Sequence, residues 1–404
     1  MSLFDVLSMV GGLALFLFGM NIMGASLEKK AGGQLKTVLG KMTDSPIKGF
    51  ILGLVVTSVI QSSSATTVMV VGFVNSGIMT LHQSIGIIMG ANVGTTITAW
   101  ILSLMAVDGA GIMAFFKPSS FVPVLAIIGV AILMFNKKQK SRDTATILLG
   151  FAVLMTGMSA MSDAVAGLKE VPEFTNILTL FSNPVLGVLA GALVTAAIQS
   201  SSASVGILQA VAATGAVSFG AAIPIIFGQN IGTCITAFMS SLGGSKNARR
   251  TAMMHLYFNL IGTIVFMIGM YAIKAVIGFA FWDDPITKGA IANFHTIFNV
   301  VVTVLFIPFN GLLVKLAEKS IKVNAKDNDL DLELARLDER FLSTPAVALE
   351  QCHKVVTTMG HIALGNLMIT NSAIIDGIAP NKETFDENES FLDNGEARIN
   401  KYML

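Results

Sequence analysis

The chain has 404 residues, of which 53% are hydrophobic and only 13% charged, with 38 glycines. That composition excludes an ordinary soluble domain, is that of a polytopic membrane protein, and no nucleic-acid partner is expected. The formal net charge of +1 conceals a division: residues 1–320 carry 18 Lys and Arg against 11 Asp and Glu, whereas residues 321–404 carry 8 against 14.

A helix needs about 20 apolar residues to cross the hydrocarbon. By that measure crossings are expected near 3–25, 84–105, 120–136, 144–162, 221–241, 251–273 and 289–314. The opening MSLFDVLSMVGGLALFLFG has no basic leading region and no small-residue cleavage site, so it reads as a span rather than a signal peptide. Two regions fit neither one crossing nor two. Residues 46–76 and 184–214 are apolar but interrupted at the centre by Gln61, Ser62, Ser63 and Ser64, and by Gln199, Ser200, Ser201 and Ser202. Each is expected to be a re-entrant helical hairpin with its tip at the serines.

The basic residues favour hairpins, because cytoplasmic loops are enriched in Lys and Arg. With hairpins, one face receives Lys29, Lys30, Lys36, Lys41 and Lys48, then Lys137, Lys138, Lys140 and Arg142, then Lys246, Arg249 and Arg250, then Lys315, Lys319 and Lys322. The other face receives only Lys117, Lys169, Lys274 and Lys288. The N-terminus is therefore expected outside and the C-terminus in the cytoplasm, with the chain multi-pass in the cell inner (plasma) membrane.

An offset of 138 residues superposes GLVVTSVIQSSSA on GALVTAAIQSSSA, GANVGTTITA on GQNIGTCITA, Pro46 on Pro184 and Gly49 on Gly187. Residues 1–138 and 139–276 are thus expected to be two repeats, followed by an extra transmembrane helix and cytoplasmic exit at 277–320 and an acidic tail at 321–404. The lysine-rich loop of the first copy falls inside, and its counterpart around Lys169, Glu170 and Glu173 falls outside. The copies then run in opposite senses, as the inverted repeats of secondary transporters do. The expected fold class is all-α: two inverted repeats, each with a re-entrant hairpin and a broken helix, and a short cytoplasmic helical tail.

Non-helical backbone survives at membrane depth only when buried in protein or lining a wet cavity. Two facing tips satisfy that condition. The second arm of each hairpin begins at the serines, so its free N–H groups and dipole form an anion cradle. The strings with Asn92, Gly94, Thr95 and Thr96, and with Asn230, Gly232, Thr233 and Cys234, read as unwound helix middles whose oxygens suit a hard cation such as sodium. Thr66 and Ser204, at matching positions behind the quartets, complete the expected sodium-binding set. Small polar residues also serve as packing contacts between membrane helices, and a helix can use Asn-x-Gly-Thr simply to bend; the duplication at one offset favours the binding role. His82, His255 and His295 have no partner at catalytic or metal spacing and read as packing. Neither quartet has a histidine or acid beside it to activate a serine, so no enzyme is expected. Cys234 and Cys352 form no disulfide framework and no transition-metal site.

These residues resemble the type II sodium/phosphate cotransporters, a family marked by a QSSS string in each of two inverted repeats. The resemblance covers roughly residues 1–315 and rests on the doubled QSSSA and the doubled G-x-N-x-G-T. It implies sodium-driven import of inorganic phosphate by alternating access around a midplane site, with sodium as co-substrate and no cofactor. Carried over, the substrate site comprises Gln61, Ser62, Ser63, Ser64, Gln199, Ser200, Ser201 and Ser202. Cys234 stands where the first copy has Thr96, so an ion site using that hydroxyl is expected in one copy only.

Beyond Lys322, TPAVALEQCHKVVTTMGHIALGNLMI places Leu349, Cys352, Val356, Met359, Ala363 and Leu367 on one helical stripe, and 385–404 forms a second candidate helix. Both resemble the opening helices of a PhoU-like bundle attached to bacterial members of the family. Too few helices follow to close a bundle, so the tail is expected to be truncated or to pair with another copy or a cytoplasmic partner. Two alternatives to the importer stay open: a transporter of another oxyanion or small carboxylate, and a non-transporting membrane phosphate sensor.

Overall fold

The computed structural model describes residues 3–41, 45–104, 118–242, 244–322, 329–339, 342, 345–375, 377 and 382–403. Among them there is no strand beyond one isolated bridge, Ser218 to Pro285; the protein is an all-α polytopic membrane protein. Helix α1 (Leu3–Lys41) precedes two short helices, α2 (Pro46–Ile60) and α3 (Ser63–Asn75), and the long α4 (Leu81–Ser103). Then α5 (Pro118–Phe135), α6 (Gln139–Val165) and α7 (Pro172–Leu180) lead to a second short pair, α8 (Pro184–Ile198) and α9 (Ser201–Ala212). The apolar part ends with α10 (Phe219–Gly232), α11 (Cys234–Ser241), α12 (Lys246–Ile277), α13 (Lys288–Phe306) and α14 (Asn310–Ser320). The tail holds α15 (Asp329–Leu334), α16 (Pro345–Ile375) and α17 (Lys382–Met403).

Among the described residues six segments are long and apolar enough to cross a bilayer: Phe4–Lys30, Leu81–Ser103, Gln139–Leu168, Phe219–Ser241, Lys246–Ile277 and Lys288–Ser320. The seventh expected crossing, near 120–136, is α5, whose apolar run Ser120–Phe135 is shorter than a crossing. At 1.5 Å per residue it reaches about 24 Å against a hydrocarbon core of about 30 Å. Large apolar side chains such as Phe4, Phe18, Ile51, Leu193, Ile268 and Val304 point outward, as they do where lipid is the solvent.

The short pairs are where the sequence is interrupted. With 15 and 13 residues, α2 and α3 reach about 22 and 20 Å, too little for either to cross alone. Between them the chain turns back: Thr57 Oγ1 donates to Thr66 Oγ1 at 3.0 Å, although nine residues of continuous helix would rise about 13 Å. The turn is made by Gln61 (φ 60, ψ 25) and repeated by Gln199 (φ 59, ψ 24) between α8 and α9. These are the non-glycine residues with positive φ among the described ones. Helices usually end in this left-handed conformation on glycine, and a residue with a Cβ there costs about 1–3 kcal/mol. A glutamine kept at both breaks points to a use for its side chain.

Glycines bring the first arm of each pair against the next long helix. A Cβ at Gly53 would lie 2.1 Å from Ile87 O, and one at Gly90 2.0 Å from Phe50 O. The second copy repeats this, with Gly191 2.1 Å from Ile225 O and Gly228 2.0 Å from Val188 O. Residues 46, 50 and 54 meet 86, 90 and 94 in order, so α2 runs parallel to α4, and α8 runs parallel to α10.

Polar contacts gather the chain ends into two groups. In the first, Lys29 Nζ meets Asp143 Oδ1 at 3.2 Å and Lys30 Nζ donates to Thr144 Oγ1 at 2.9 Å, joining the end of α1 to the start of α6. A second set of contacts joins the base of α3 to the exit of the apolar part. Ser245 N donates to Asn75 Oδ1 at 2.7 Å, Arg250 Nη2 to Ile321 O at 2.8 Å and Arg336 Nη1 to Ser76 O at 3.0 Å. In the other group, Ile286 N donates to Val217 O at 2.8 Å and Lys288 Nζ to Ser162 Oγ at 3.2 Å.

The tail is bound to the base of the first pair, with Asn75 Nδ2 donating to Ala335 O and to Asp338 Oδ2. Its core is Leu334, Val355 and Phe391. The stripe on α16 differs from expectation: Cys352 and Val355 are buried, whereas Leu349, Val356 and Leu367 are exposed, because α15 and α17 cover a face centred on 352, 355 and 359.

Candidate functional site

Each tip combines a helix start with unused donors. Ser62 caps α3 by accepting from Ala65 N at 3.1 Å, and Ser200 caps α9 by accepting from Ala203 N at 3.2 Å. The next N–H in each helix returns to the cap, Thr66 N to Ser62 O and Ser204 N to Ser200 O. The N–H groups of Ser63 and Ser64, and of Ser201 and Ser202, thus begin their helices without an intrahelical acceptor. Among the described residues no hydrogen bond ties the hydroxyls of these four serines. Each tip therefore presents two N–H groups, two hydroxyls and the positive end of a helix dipole, a set of donors that suits an oxyanion.

The glutamines differ in setting. Gln61 is buried; its Oε1 accepts from Thr98 Oγ1 at 3.0 Å and its Nε2 donates to Ser58 O. Gln199 is exposed, and its Nε2 reaches Met239 Sδ at 3.8 Å. No bond links one tip to the other among the described residues; both abut one turn of α1. Ser200 Oγ lies 4.0 Å from Met20 Sδ, and a Cβ at Gly24 would stand 3.6 Å from Ile60 O. Behind the tips, Gln209 Nε2 ties α9 to α4 and to the start of α13 through Ala99 O at 3.0 Å and Lys288 O at 3.3 Å.

The Asn-x-Gly-Thr strings correct the expectation of a broken helix in each copy. The first lies inside the uninterrupted α4, and the second meets only a one-residue break at Thr233, between α10 and α11. The side chains bond to their own helix instead of unwinding it. Asn92 Nδ2 donates to Ile88 O and Asn230 Nδ2 to Ile226 O, both at 2.8 Å; Thr95, Thr96 and Thr233 donate to Ala91 O, Val93 O and Gln229 O. Gly94 and Gly232 serve close packing, with Cβ positions 2.8 Å from Leu54 O and 2.4 Å from Ala192 O. Thr66 Oγ1 accepts from Thr57 and donates to Ser62 O, whereas Ser204 Oγ is buried without a partner among the described residues. Asn230 Oδ1 is engaged by Asn299 Nδ2 at 3.1 Å and by His295 Nε2 at 3.3 Å.

That last contact brings in residues that sequence reasoning sets aside. His255, Asn259, His295 and Asn299 are buried against the α10–α11 joint, where Asn259 Nδ2 also meets Cys234 Sγ at 3.4 Å. The signal available in sequence is a shared spacing: HLYFNLIGT and HTIFNVVVT both read H-x3-N-x3-T.

Among the described residues no group of His, Cys, Asp or Glu could hold a metal ion. A cavity of about 390 Å³, lined by Phe266, Met270, Phe279, Phe281, Trp282 and Phe294 among others, is apolar and shares no residue with either tip. An anion has no partner there.

The chain is similar to several known proteins. YqeW of Bacillus subtilis is 30% identical over 312 residues, covering 77% of this chain and 96% of that protein. YjbB of Salmonella typhimurium, whose name gives inorganic phosphate export as a candidate role, is 26% identical over 357 residues, covering 88% of this chain and 63% of its own. The rat sodium-dependent phosphate transport protein 2A is 28% identical over 175 residues, 42% of this chain and 26% of that protein. No solved structure matches the chain. A sequence model described as Na+/Pi-cotransporter matches residues 15–163 and 166–282, which contain both tips and both Asn-x-Gly-Thr strings. With more than half of its length matched, the chain belongs to the Na+/Pi-cotransporter family, a family of transporters and not of enzymes.

Proposed function

We propose that this chain imports inorganic phosphate together with sodium, by alternating access around a central site formed by the two tips. The observation that carries the reading is the pair of tips with one backbone geometry, each offering unused N–H and hydroxyl donors from Ser63 and Ser64 or from Ser201 and Ser202. Gln61, Ser62, Gln199 and Ser200 shape the cradle. The grouping of chain ends supports an inverted arrangement of residues 1–138 and 139–276: Asn75, at the base of the first pair, lies with Ser245, whereas Val217, just after the second, lies with Ile286. The lysine-rich distribution supports a cytoplasmic position for the first of these groups, with the N-terminus outside, in the plasma membrane.

Sodium follows from charge. Phosphate near neutral pH carries one to two negative charges, and burying an uncompensated charge is strongly unfavourable. Two helix N-termini supply about half a charge each, and no Arg or Lys is hydrogen bonded to either tip among the described residues. A cation bound with the substrate supplies the rest. Thr66, Asn92, Thr95, Thr96, Ser204, Asn230 and Thr233 are the proposed oxygen donors; the threonine hydroxyls that donate to helix carbonyls retain lone pairs for a cation. The tail, bonded to Asn75 and Ser76, is placed to bias the first hairpin.

The test is uptake of labelled phosphate by purified protein in liposomes. Uptake is expected with an inward sodium gradient and is lost when choline replaces sodium. Competition by arsenate, sulfate and succinate separates phosphate from another oxyanion or a carboxylate. Phosphate binding without flux would overturn the transport reading in favour of a sensor. The name of YjbB supports a second reading, export, and efflux from loaded vesicles that exceeds uptake under the mirrored gradient would select it.

A further inference from the structure

The apolar cavity of about 390 Å³ lies apart from the tips, between α12 and α13. Gly262, Phe266, Gly269 and Ile273 of α12 line it, with Phe294 and Leu305 of α13 and Trp282 from the turn between the two helices. Four lining residues, Val265, Ile273, Val301 and Leu305, are exposed, so the cavity opens onto the surface that meets lipid. Protein interiors hold few voids larger than a water molecule. Water would find no polar partner here, and an empty space forfeits the dispersion contacts of its walls. The walls do not close it. A Cβ at Gly269 would meet nothing within 4 Å, and Trp282 is held in place because its carbonyl accepts from Gly220 N at 2.9 Å.

The depth of the cavity matches one leaflet. Between Arg250 and Lys274 the chain of α12 carries no Asp, Glu, Lys or Arg, and Gly262 is the middle residue of that run. From Gly262 to Ile273, the last lining residue of α12, the helix rises about 16 Å, half of a hydrocarbon core of about 30 Å. Phe258 against Phe306 at 5.8 Å and Phe266 against Phe298 at 5.5 Å set α13 antiparallel, which puts Leu305 at the deep end and Phe294 nearer the other. Charge stands at the shallow end only. Lys274 follows Ile273 directly, and its Nζ lies 4.1 Å from the centroid of the Trp282 ring and 5.9 Å from that of Tyr271. Among the described residues no hydrogen bond or ion pair engages that ammonium. Asp283 and Asp284, both exposed, follow Trp282 in the chain.

We infer that the cavity seats one acyl chain of a phospholipid, with the lipid phosphate at Lys274. An acyl chain is the apolar molecule present at the opening, the space is as deep as one leaflet, and the cation stands where a headgroup lies. Trp282 and Tyr271 at that end are the amphipathic rings that settle at headgroup level. The phosphate stays outside the cavity, where the ammonium over Trp282 has donors to give. With Asp283 and Asp284 beside Trp282, a headgroup that carries an ammonium as well as a phosphate suits this end better than one with negative charge alone, which singles out a lipid such as phosphatidylethanolamine. The site rests on the cavity and on the membrane, and is independent of what the tips transport.

The experiment titrates delipidated full-length protein in detergent with dioleoylphosphatidylethanolamine and counts bound lipid by native mass spectrometry. Wild type is expected to bind one lipid per chain saturably. Gly269→Phe, which places a ring in the open space, is expected to lose that lipid or weaken its Kd at least tenfold. Gly11→Phe, equally free of neighbours but on α1, should bind as wild type does. Lys274→Gln should weaken binding severalfold, to the level of dioleoylglycerol, which has the same chains and no phosphate. If Gly269→Phe does not fold, a phosphatidylethanolamine with a diazirine at the end of one acyl chain replaces it, and photolysis in wild-type membranes should label the peptides of Gly262 and Val302. Wild-type affinity in Gly269→Phe, no saturable binding by wild type, or labelling without enrichment at those peptides overturns the site. So does a dimer that survives delipidation and is lost in Gly269→Phe, since a second copy would then cover the opening. Dioleoylglycerol binding as tightly as the phospholipid, or dioleoylphosphatidylglycerol binding more tightly, overturns the headgroup assignment.

Discussion

Gly90→Ala and Gly228→Ala place a methyl group where the backbone of a partner helix already stands. A Cβ at residue 90 would lie 2.0 Å from Phe50 O and 2.7 Å from Leu54 N; at residue 228 it would lie 2.0 Å from Val188 O and 2.9 Å from Ala192 N. Helix backbone cannot swing aside as a side chain can. Moving from 2.0 Å to an ordinary contact beyond 3.4 Å requires about 1.4 Å of separation between the helices. Overpacking of this kind costs about 1–3 kcal/mol and occasionally more, and the better helix propensity of alanine returns at most about 1 kcal/mol. With backbone as the clashing partner the upper end of that range applies, about 3 kcal/mol, which leaves a net loss of about 2 kcal/mol or more in each case. Function should suffer beyond stability. The Thr98 Oγ1 to Gln61 Oε1 bond spans 3.0 Å between α4 and the tip of α2, and a shift of that size breaks it. Thermal unfolding in detergent and phosphate uptake in liposomes read the two effects. Gly11→Ala and Gly269→Ala, where a Cβ meets nothing within 4 Å, should melt at or slightly above wild type. A Gly90→Ala protein as stable as wild type, or controls that fall as far, would refute the packing argument.

Ser63→Ala and Ser201→Ala should each abolish uptake with membrane expression intact, since loss of a donor to a buried anion costs about 1–3 kcal/mol; normal transport by either variant means a one-sided site. Lys30→Cys and Gln139→Cys should react with an impermeant reagent from the cytoplasmic side only, and Glu170→Cys from outside only. Labelling of residues 30 and 139 from opposite faces would contradict the hairpins. In the tail, the hydrogen bond from Arg336 holds the Glu333 carboxyl below its usual range. A depressed carboxylate stabilises the folded turn that aims Arg336 at Ser76 O above its unfolded pKa of about 4.3, and that stabilisation is lost as pH falls through the depressed value. A spin-label distance between tail and α3 should therefore lengthen on acidification, and lengthen already at neutral pH in Glu333→Gln; a distance insensitive to both removes Glu333 from the contact.

What the sequence reveals depends on whether a residue type has one structural use or several. Apolar runs of crossing length have one use in lipid, and six of the expected crossings fall on spanning helices. Gln61 and Gln199 interrupt such runs, so the breaks are legible in the order of residues alone. Gly94 and Gly232 have two uses, letting a helix unwind or letting a neighbour approach, and the second is the one realised in α4 because α2 packs against that face. The polar string on α12 is hidden for a different reason. His255 and Asn259 alone look like packing residues, and their meaning depends on His295 and Asn299, forty positions later, reaching the same joint. The α16 stripe is legible as a helix but not as to which face its neighbours cover, since Val356 and Val355 are equally apolar and only the second is buried.

The two tips have one backbone geometry and unequal surroundings. At the first, Thr57 donates to Thr66 across the hairpin and Thr98 donates to the buried Gln61. At the second, Thr195 and Ser204, the matching positions, are buried with no hydroxyl partner among the described residues, and Gln199 is exposed. Thr236, at the position of Thr98, turns its hydroxyl to Thr233 O. Under the proposed mechanism the site opens to one side at a time, and two equivalent tips, one engaged and one released, are what a one-sided state requires. Reversal of access should then exchange the partners, with Thr236 serving Gln199 while Thr98 releases Gln61. Thr98→Val removes a bond made in the present state, and Thr236→Val removes one made in the reversed state. A neutral hydrogen bond contributes about 1 kcal/mol, so each variant should shift the balance of states by about fivefold, in opposite directions. Thiol labelling of Ser64→Cys and Ser202→Cys, each in a Cys234→Ser/Cys352→Ser background, reports that balance. Thr98→Val should raise labelling at residue 64 and lower it at 202, and Thr236→Val should do the reverse. A shift in the same direction for both would show that the asymmetry of the tips belongs to the fold and not to the transport cycle.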